Sequence, residues 1–470
     1  MNPPRRTPRT IVLNLPAVLG LAIQAPAGLQ AEAREPRLSE AAAWLRDYVR
    51  IDTTNPPGNE DRAAHYLADL LHQEGVPTRL LVSPGGRTSL YARLAAPAPE
   101  AGPLVLHHHM DVVPSGPDWT VDPFAGEVRD GRLYGRGALD IKSLGVAQLA
   151  AFLDLARRGV PLRRDVIYLA VADEERGGEE GTGWILERHA DLFPGLERPD
   201  AAVLGEGGAN RTINGRSLWT GIEVAQKRPL WLRVTANGRA GHGSGLNPAS
   251  ASHELIRGLA RVLDLPQEWK VTEPVRRYLE ALAPLHNEKY RRIFSEPEAH
   301  IRPDGPTVDI LPGLANLFLD TFQVTVVDVG EKINVIPGKV TARVDARLLP
   351  GTDAEAYLER VREALGDRVH LEVVLSSPPS PPSPEDHPVY ETVADVLGET
   401  APVVPAFIAG FTDSRYFRER GIPAYGVSPF YLEPQTFLGI HGADESIPLD
   451  ELDLGVDRMV RIVRACAASS

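Results

Sequence analysis

Three groups of carboxylate and imidazole side chains each follow a short apolar run that predicts a buried strand. Because the carboxyl ends of parallel strands meet at one edge of an open α/β sheet, we expect the three groups to lie close together. Imidazole nitrogen and carboxylate oxygen are the ligands that zinc and similar divalent metals accept. The pattern therefore predicts a metal site at this edge. The groups are His109 with Asp111, Asp173 to Glu175, and Glu206.

Two further segments carry possible metal ligands. Asp140 follows Gly135-Arg136-Gly137 and precedes a predicted helix, and His441 precedes the last predicted helix. Two divalent ions about 3.5 to 4 Å apart need a carboxylate between them to offset their repulsion, and Asp140 suits that position. The alternative for Gly135-x-Gly137 is a phosphate-binding loop, but the nearby Asp140 would repel phosphate.

Neighbouring polar residues in these groups are expected to differ in role. In extended chain Glu174 and Glu175 point to opposite sides, so one is expected to bind metal and the other to act on water. Asp111 points to the same side as His109 and is expected to accept the far ring N–H of that imidazole. The alternative for the acidic run is a solvated turn, which the preceding apolar strand disfavours. His107 and His108 are interpreted as structural residues or as residues that support the ligands, and only His109 as a ligand.

Charge and composition exclude several other classes of protein. The chain has 50 Lys and Arg against 63 Asp and Glu, a formal net charge of −13. This acidity disfavours binding to nucleic acid, and we expect none. Cys466 is the only cysteine, so a zinc–thiolate cluster and an internal disulfide are both excluded. Any metal in this chain must be held by His, Asp and Glu.

Hydrophobic periodicity predicts an α/β fold with a mixed sheet and a smaller inserted layer. Helices and strands alternate from Leu38, with Ser39 as an expected N-cap. From about residue 226 the predicted order becomes β-α-β-β-α-β, which is typical of a ferredoxin-like two-layer unit. The Pro/Ser-rich stretch at 376–384 predicts a stiff return connection. The predicted division is 38–225 and 385–470 for the catalytic domain and 226–376 for a lid and dimerisation domain, with 267–306 left unplaced.

The first residues predict an export signal. Arg5, Arg6 and Arg9 precede an apolar run from Ile11 to Ile23, which is shorter than the roughly 20 residues of a membrane span. We expect residues 1–31 to be a signal peptide, with no membrane span in the mature form. The protein is thus expected to be periplasmic or secreted.

From Leu38 to the C-terminus the chain resembles the co-catalytic zinc amidohydrolases, which include glutamate carboxypeptidase, aminoacylase, succinyl-diaminopimelate desuccinylase and the tripeptide aminopeptidase. Each motif alone is weak, but the ordered set is specific. The motifs are His109-Met110-Asp111-Val112-Val113, Gly135-Arg136-Gly137 with Asp140 and Lys142, Asp173-Glu174-Glu175, Gly205-Glu206, Gly241-His242, Asn334-Val335-Ile336-Pro337, Asp345-Ala346-Arg347, Thr412-Asp413-Ser414-Arg415 and His441-Gly442.

The resemblance implies a role for each of these residues. It implies two Zn²⁺ ions, with Co²⁺ or Mn²⁺ as alternatives, and Glu174 as the general base that takes a proton from water. His242 on the insert would stabilise the oxyanion, reaching the neighbouring subunit of a homodimer, and Asn334 and Arg347 would bind a substrate carboxylate. The implied ligands are His109 and Glu206 for one metal, Glu175 and His441 for the other, and Asp140 as the bridge.

These roles predict a hydrolase that cleaves a peptide or N-acyl amide bond next to a free C-terminal carboxylate. Such an enzyme is a carboxypeptidase or an N-acyl-amino-acid amidohydrolase with a small-molecule substrate. Two alternatives remain open: an aminopeptidase acting on di- or tripeptides, which Arg347 disfavours, and an exported binding protein without turnover, which the complete ligand set and Glu174 disfavour.

Overall fold

A computed structural model describes residues 38–310 and 312–469. The predicted signal peptide at 1–31 lies outside the described residues. None of the helices within the described ranges combines the length and hydrophobicity that crossing a lipid bilayer requires.

The first part of the chain builds most of a large mixed sheet. Ser39 caps the first helix by accepting a hydrogen bond from the Ala42 N–H, as predicted. The elements are α1 (Glu40–Val49), α2 (Glu60–Gln73), β1 (Thr78–Val82), β2 (Thr88–Leu94), β3 (Leu104–His109), β4 (Glu127–Arg129), β5 (Arg132–Tyr134), α3 (Lys142–Arg158), β6 (Val166–Val171), α4 (Trp184–Arg188), β7 (Ala202–Gly205), β8 (Ala209–Ile213) and β9 (Arg216–Gln226).

The middle part forms a separate four-stranded antiparallel sheet in the order β14-β16-β10-β17, with the β-α-β-β-α-β succession that the sequence predicts. The elements are β10 (Arg228–Asn237), β11 (Gly241–His242), α5 (Ala251–Leu263), α6 (Glu273–Leu282), α7 (Glu288–Ser295), α8 (Pro297–His300), β12 (Ile301–Arg302), β13 (Gly305–Pro306), β14 (Thr321–Asp328), β15 (Val335–Ile336), β16 (Lys339–Leu348), α9 (Ala354–Leu365) and β17 (Val369–Ser376).

The last part returns to the large sheet, whose strand order is β1-β2-β6-β3-β7-β19-β9-β18 with β8 paired to β9. Strands β6, β3, β7 and β19 are parallel to one another, so their carboxyl ends share one edge. The elements are α10 (Pro388–Gly398), β18 (Val403–Ile408), α11 (Ser414–Arg418), β19 (Ala424–Gly426), α12 (Pro434–Phe437), β20 (Ser446–Pro448) and α13 (Leu449–Ala467).

The two sheets have distinct hydrophobic cores. Leu232 and Val344 of the smaller sheet pack with Leu255 of α5 and Leu358 of α9 in one core. The segment that the sequence left unplaced does not join this core. Its helix α6 packs on the large sheet, where Tyr278 contacts Trp219 of β9. The predicted range 226–376 therefore contains a segment that belongs by packing to the large sheet.

Lys227 lies where the chain passes from the large sheet to the smaller one. It is 1% exposed, and among the described residues its Nζ has no hydrogen-bond partner. Burial lowers the pKa of Lys227 to about 8 from its usual value of 10.5, although Asp320 partly opposes the shift. An unpaired buried ammonium destabilises the fold.

We expect Lys227→Met to raise the free energy of unfolding at pH 7 by up to about 3 kcal/mol. The unfolded chain holds this proton more tightly than the folded chain, so the ammonium costs stability below about pH 8 and costs nothing above about pH 10.5. The gain in the free energy of unfolding should therefore decrease from about pH 8 to about pH 10.5, as measured by urea titrations at several pH values. Lys332→Met, at an exposed position, is the matched control. A destabilised Lys227→Met protein at pH 7 would contradict this account.

Candidate active site

The three predicted ligand groups meet at the carboxyl edge of the large sheet. His109 is the last residue of β3, and Glu206 directly follows β7. Glu174 and Glu175 lie in a short 3₁₀ turn at 174–176, after β6. Since β6, β3 and β7 are adjacent and parallel, the three groups lie side by side.

Five side chains form two groups that share Asp140. His109, Asp140 and Glu206 offer ligand atoms within 4.8 Å of one another, and so do Asp140, Glu175 and His441. One carboxylate oxygen of Asp140 lies 3.3 Å from His109 Nε2, and its other oxygen lies 3.0 Å from His441 Nε2. Each Asp140 oxygen thus faces a different group, which is the arrangement that a bridging carboxylate requires.

The donor set suits a pair of divalent cations. Glu175 Oε1 and Glu206 Oε2 are buried, and among the described residues neither has a hydrogen-bond partner. Each lies 3.6 Å from the imidazole Nε2 of its own group. Buried carboxylate oxygens without donors are costly unless a cation compensates them. These residues therefore fit a two-metal centre with nitrogen and oxygen ligands.

The pKa shifts show how strongly this cluster favours positive charge. The contact with the Asp140 carboxylate at 3.0 Å, followed by the one with Glu175 at 3.6 Å, raises the pKa of His441 to about 10. Burial opposes protonation of His109, but the bond to Asp140 and the attraction of Glu174 and Glu206 together outweigh it and hold the His109 pKa well above its usual value. Burial, followed by repulsion from Asp140, raises the pKa of Glu206. Metal cations would supply the charge that the protons supply here.

Asp111 holds the turn that carries Glu174 and Glu175. Its carboxylate accepts the backbone N–H groups of Glu174 (3.2 Å) and Glu175 (3.1 Å), and also Asn55 Nδ2 (2.7 Å). The predicted bond from the His109 ring to the Asp111 carboxylate is replaced by a 2.8 Å contact of Nδ1 with the Asp111 backbone carbonyl. An Nδ1–H that donates to this carbonyl leaves Nε2 free to face Asp140.

The side chains of Glu174 and Glu175 point in different directions, as predicted, but extended chain is not the reason. They do not lie in extended chain, because Asp173 has a φ of 74° and starts the 3₁₀ turn. Glu175 faces His441, whereas Glu174 is 5% exposed. Burial raises the pKa of Glu174 well above its usual value, and repulsion from Glu206 adds to the shift. Glu174 is thus buried beside the ligand cluster but belongs to neither ligand group, a position that suits a general base.

Glu445 is a site residue that the sequence analysis missed. Its buried carboxylate accepts the backbone N–H groups of Leu139 (2.7 Å), Asp140 (3.0 Å) and Gly137 (3.1 Å), and it pairs with Arg136 at 2.6 Å. Glu445 therefore fixes the loop that presents Asp140. These N–H groups are already bound to a carboxylate, so the phosphate-loop alternative is wrong. In the sequence, the one feature that could have pointed to Glu445 is its position four residues after His441.

We expect Glu445→Gln to weaken metal binding by about 10- to 100-fold, because an amide cannot accept all the loop donors that orient Asp140. The dissociation constant is measured by competition with a chromophoric chelator. Asp444→Asn changes the neighbouring, half-exposed residue, which bonds Thr120 instead, and should bind metal normally. Unchanged metal affinity in a folded Glu445→Gln protein would show that the loop holds Asp140 without Glu445.

His107 and His108 are structural, as interpreted from the sequence. His107 Nε2 lies 2.8 Å from Thr182 Oγ1, and the His108 ring packs against Gly145, where a Cβ atom would come within 2.4 Å of the ring. Burial lowers the pKa of His107 to about 3, so this imidazole is neutral. Neither residue belongs to the two ligand groups.

The predicted groups near the β11–β15 pair of the insert lie apart from the ligand cluster. His242 is exposed and lies opposite Val335 in the β11–β15 pair, and the Asn334 carbonyl accepts the Gly243 N–H there at 2.8 Å. Within the described part of the chain, the hydrogen bonds of the His242 side chain are to Ser244. The structure thus brings His242 and Asn334 together but joins neither to the ligands.

Arg347 already has a carboxylate partner. Its Nε and one terminal nitrogen each lie 2.7 Å from an oxygen of Asp345. The guanidinium also lies 4.5 Å from the ring centre of Phe411, and Arg415 contacts the same ring at 5.6 Å. Asp413, two residues after Phe411, is another buried carboxylate. Burial raises the pKa of Asp413 to about 6. Arg347 therefore joins the smaller sheet to the loop after β18.

Comparisons with known proteins identify the family of the chain. Residues 105–465 match the model of peptidase family M20/M25/M40. The chain is 30% identical over 375 residues to the N-fatty-acyl-amino acid synthase/hydrolase PM20D1 of Xenopus tropicalis, covering 77% of this chain and 72% of that protein. It is 26% identical over 434 residues to human aminoacylase-1, covering 90% and 94%. Human carnosine dipeptidase 1 has the same fold, with a TM-score of 0.70 at 16% identity over 91% and 96% of the two chains. The chain therefore belongs to peptidase family M20/M25/M40.

Proposed function

We propose that this enzyme cleaves an amide bond next to a free carboxylate, in a small peptide or in an N-acyl amino acid. One observation carries the proposal: two ligand groups share Asp140 beside the buried Glu174. Similarity to an aminoacylase and to an N-fatty-acyl-amino acid hydrolase supports the N-acyl substrate.

We propose zinc as the native metal, since two imidazoles and three carboxylates form the ligand set. Cobalt and manganese accept the same atoms. Bound by these five residues, a divalent pair would supply polarisation of the substrate carbonyl and a more acidic water molecule. Glu174 takes the proton from that water and delivers it to the leaving nitrogen. Asp111 keeps Glu174 in place through the backbone.

The substrate carboxylate is proposed to bind to two residues of the insert, Arg347 in β16 and Asn334 just before β15. Arg347 has a planar fork that suits a carboxylate, and its present partner Asp345 is half-buried at the same sheet. A substrate carboxylate would share or replace this pairing. Asn334 directly precedes β15 and lies beside His242 of β11, so both must approach the ligand cluster by closure of this unit or from a second copy.

The second copy is proposed to be a homodimer partner whose His242 completes each site and stabilises the oxyanion. Mixing inactive Glu174→Gln and His242→Ala proteins tests this, because a mixed dimer contains one site with both groups intact. Recovery of activity on mixing, with a dimer seen by light scattering, supports the shared site. A monomer with full activity would exclude it.

The substrate class is tested with metal-loaded mature protein on N-acyl amino acids and dipeptides whose C-terminal carboxylate is free or amidated. The proposal predicts cleavage that chelator abolishes and that amidation of the carboxylate reduces strongly. Cleavage that instead requires a free amino group would identify an aminopeptidase. Bound metal without cleavage of any substrate would identify a binding protein.

We also propose that the protein is exported to the periplasm or medium, on the basis of its N-terminal arginines and apolar run at 11–23. N-terminal sequencing of protein recovered from these fractions should give a start between about residues 28 and 34. Recovery only from the cytoplasm with Met1 or Asn2 as the first residue would overturn this proposal.

A further inference from the structure

A cavity of about 240 Å³ opens directly beside the ligand cluster. Asp140 and Glu206 form its polar end, and the rest of its wall is mainly aliphatic and aromatic. The apolar side chains come from the start of α3, from the segment after β19 and from the region of α12. They include Leu144, Val427, Phe430, Phe437 and Ile440.

Among the residues that the structure describes, the cavity wall contains no lysine or arginine. Its polar groups away from the ligands include Asn210, whose Nδ2 donates to the Phe430 carbonyl at 2.8 Å. Beyond the end formed by Asp140 and Glu206, a free carboxylate would therefore meet an apolar wall and no cationic side chain. The cationic groups that suit a carboxylate, Arg347 and Arg415, lie instead around Phe411. The cavity is thus suited to an uncharged, apolar part of the substrate.

The two sides of the scissile amide bond carry chemically different parts of the substrate. In an N-acyl amino acid, the side chain and the free carboxylate are attached to the same carbon, so they stay close together. The acyl chain extends from the carbonyl carbon on the opposite side of the bond. With the carbonyl at the Asp140 and Glu206 end, a hydrocarbon attached to that carbonyl can enter the cavity while the carboxylate remains outside it.

We propose that this cavity binds the hydrocarbon of an N-acyl group and makes the enzyme selective for medium-length apolar acyl chains. This inference rests on the proposed function. The cavity volume is about eight times the roughly 30 Å³ of a water molecule in the liquid, and a methylene group is of similar size. The space therefore suits an acyl chain of about six to eight carbons.

The expected gain follows from burial of methylene groups. Each buried methylene contributes about 0.8 kcal/mol, which is about a fourfold change in affinity. The gain should continue until the chain fills the cavity and should then level off. The apolar contacts are present in the bound substrate as well as in the transition state. The dissociation constant of the substrate should therefore also fall with each added methylene group.

The test measures binding without turnover. Metal-loaded Glu174→Gln protein is titrated calorimetrically with N-acetyl-, N-butyryl-, N-hexanoyl- and N-octanoylglycine, and the dissociation constant should fall about fourfold per methylene. Active wild-type enzyme is assayed on the same series. A second series keeps the acetyl group and varies the amino acid from glycine to leucine and phenylalanine.

Variants connect the effect to the cavity. Phe437→Ser and, independently, Ile440→Ser should reduce the dependence on acyl chain length and leave the amino-acid series unchanged. Leu438→Ser is the matched control, because Leu438 lies between them in sequence, is 82% exposed and does not line this cavity. Two variants keep the test valid if one of them fails to fold.

The outcomes separate this inference from the proposed function. Hydrolysis of all N-acylglycines with no dependence on chain length would overturn the inference and leave the proposed function intact. A Phe437→Ser or Ile440→Ser effect on the amino-acid series alone would assign the cavity to the amino-acid side chain, which also overturns it. Absence of both binding and hydrolysis with every N-acylglycine would reject the N-acyl substrate and the inference together.

Discussion

Replacing Glu174 by glutamine is expected to lower kcat for amide hydrolysis by about 10²- to 10⁴-fold while metal content stays unchanged. Glutamine keeps the shape of the side chain but cannot accept a proton from water. Glu174 belongs to neither ligand group, so the two metal positions keep all five of their side chains. The loss should appear in kcat and kcat/KM, with little change in substrate binding.

Metal analysis and steady-state kinetics on the same preparation check this expectation. Glu179→Gln is a matched control, since Glu179 lies five residues further along the same loop and is exposed. It should retain wild-type activity. If Glu174→Gln protein holds both metals and turns over at the wild-type rate, Glu174 is not the base. If it loses a metal, Glu174 acts as a ligand and the division of roles with Glu175 is wrong.

The strand and helix order could be predicted because each element carries a local pattern. Helix α3 was predicted at 143–158 and is observed at Lys142–Arg158, ending at Gly159 with a φ of 58°. The β-α-β-β-α-β order of the smaller sheet was likewise predicted. The position of α6 could not be predicted from the sequence. Its amphipathic pattern indicates that one face is buried, but not in which of the two hydrophobic cores that face packs.

The ligand set was more predictable than the contacts that hold it. His109 and Glu206 were found because each directly follows a buried parallel strand, and topology then places them together. Glu445 was missed because its donors lie some 300 residues earlier, at Gly137 and Asp140, and no local pattern records such a pairing. The turn at Asp173 was missed for a related reason, since a left-handed aspartate has no reliable sequence pattern.

Asp140→Asn is expected to weaken both metal sites together, whereas changes at the other carboxylates should weaken one site each. Asp140 has one oxygen facing His109 and the other facing His441, so both groups lose a negative charge when it is replaced. A unit charge about 4 Å from a cation contributes about 4 kcal/mol at an effective dielectric constant of 20, which is about a 10³-fold change in affinity.

Metal stoichiometry after gel filtration distinguishes the three ligands. Glu206→Gln should retain the ion held by Glu175 and His441, and Glu175→Gln should retain the ion held by His109 and Glu206, so each is expected to keep about one metal per chain. Asp140→Asn should keep neither and should be inactive. Retention of one tightly bound ion by Asp140→Asn protein would mean that Asp140 serves a single site. The shared carboxylate, on which the two-metal interpretation of this geometry depends, would then have to be another residue.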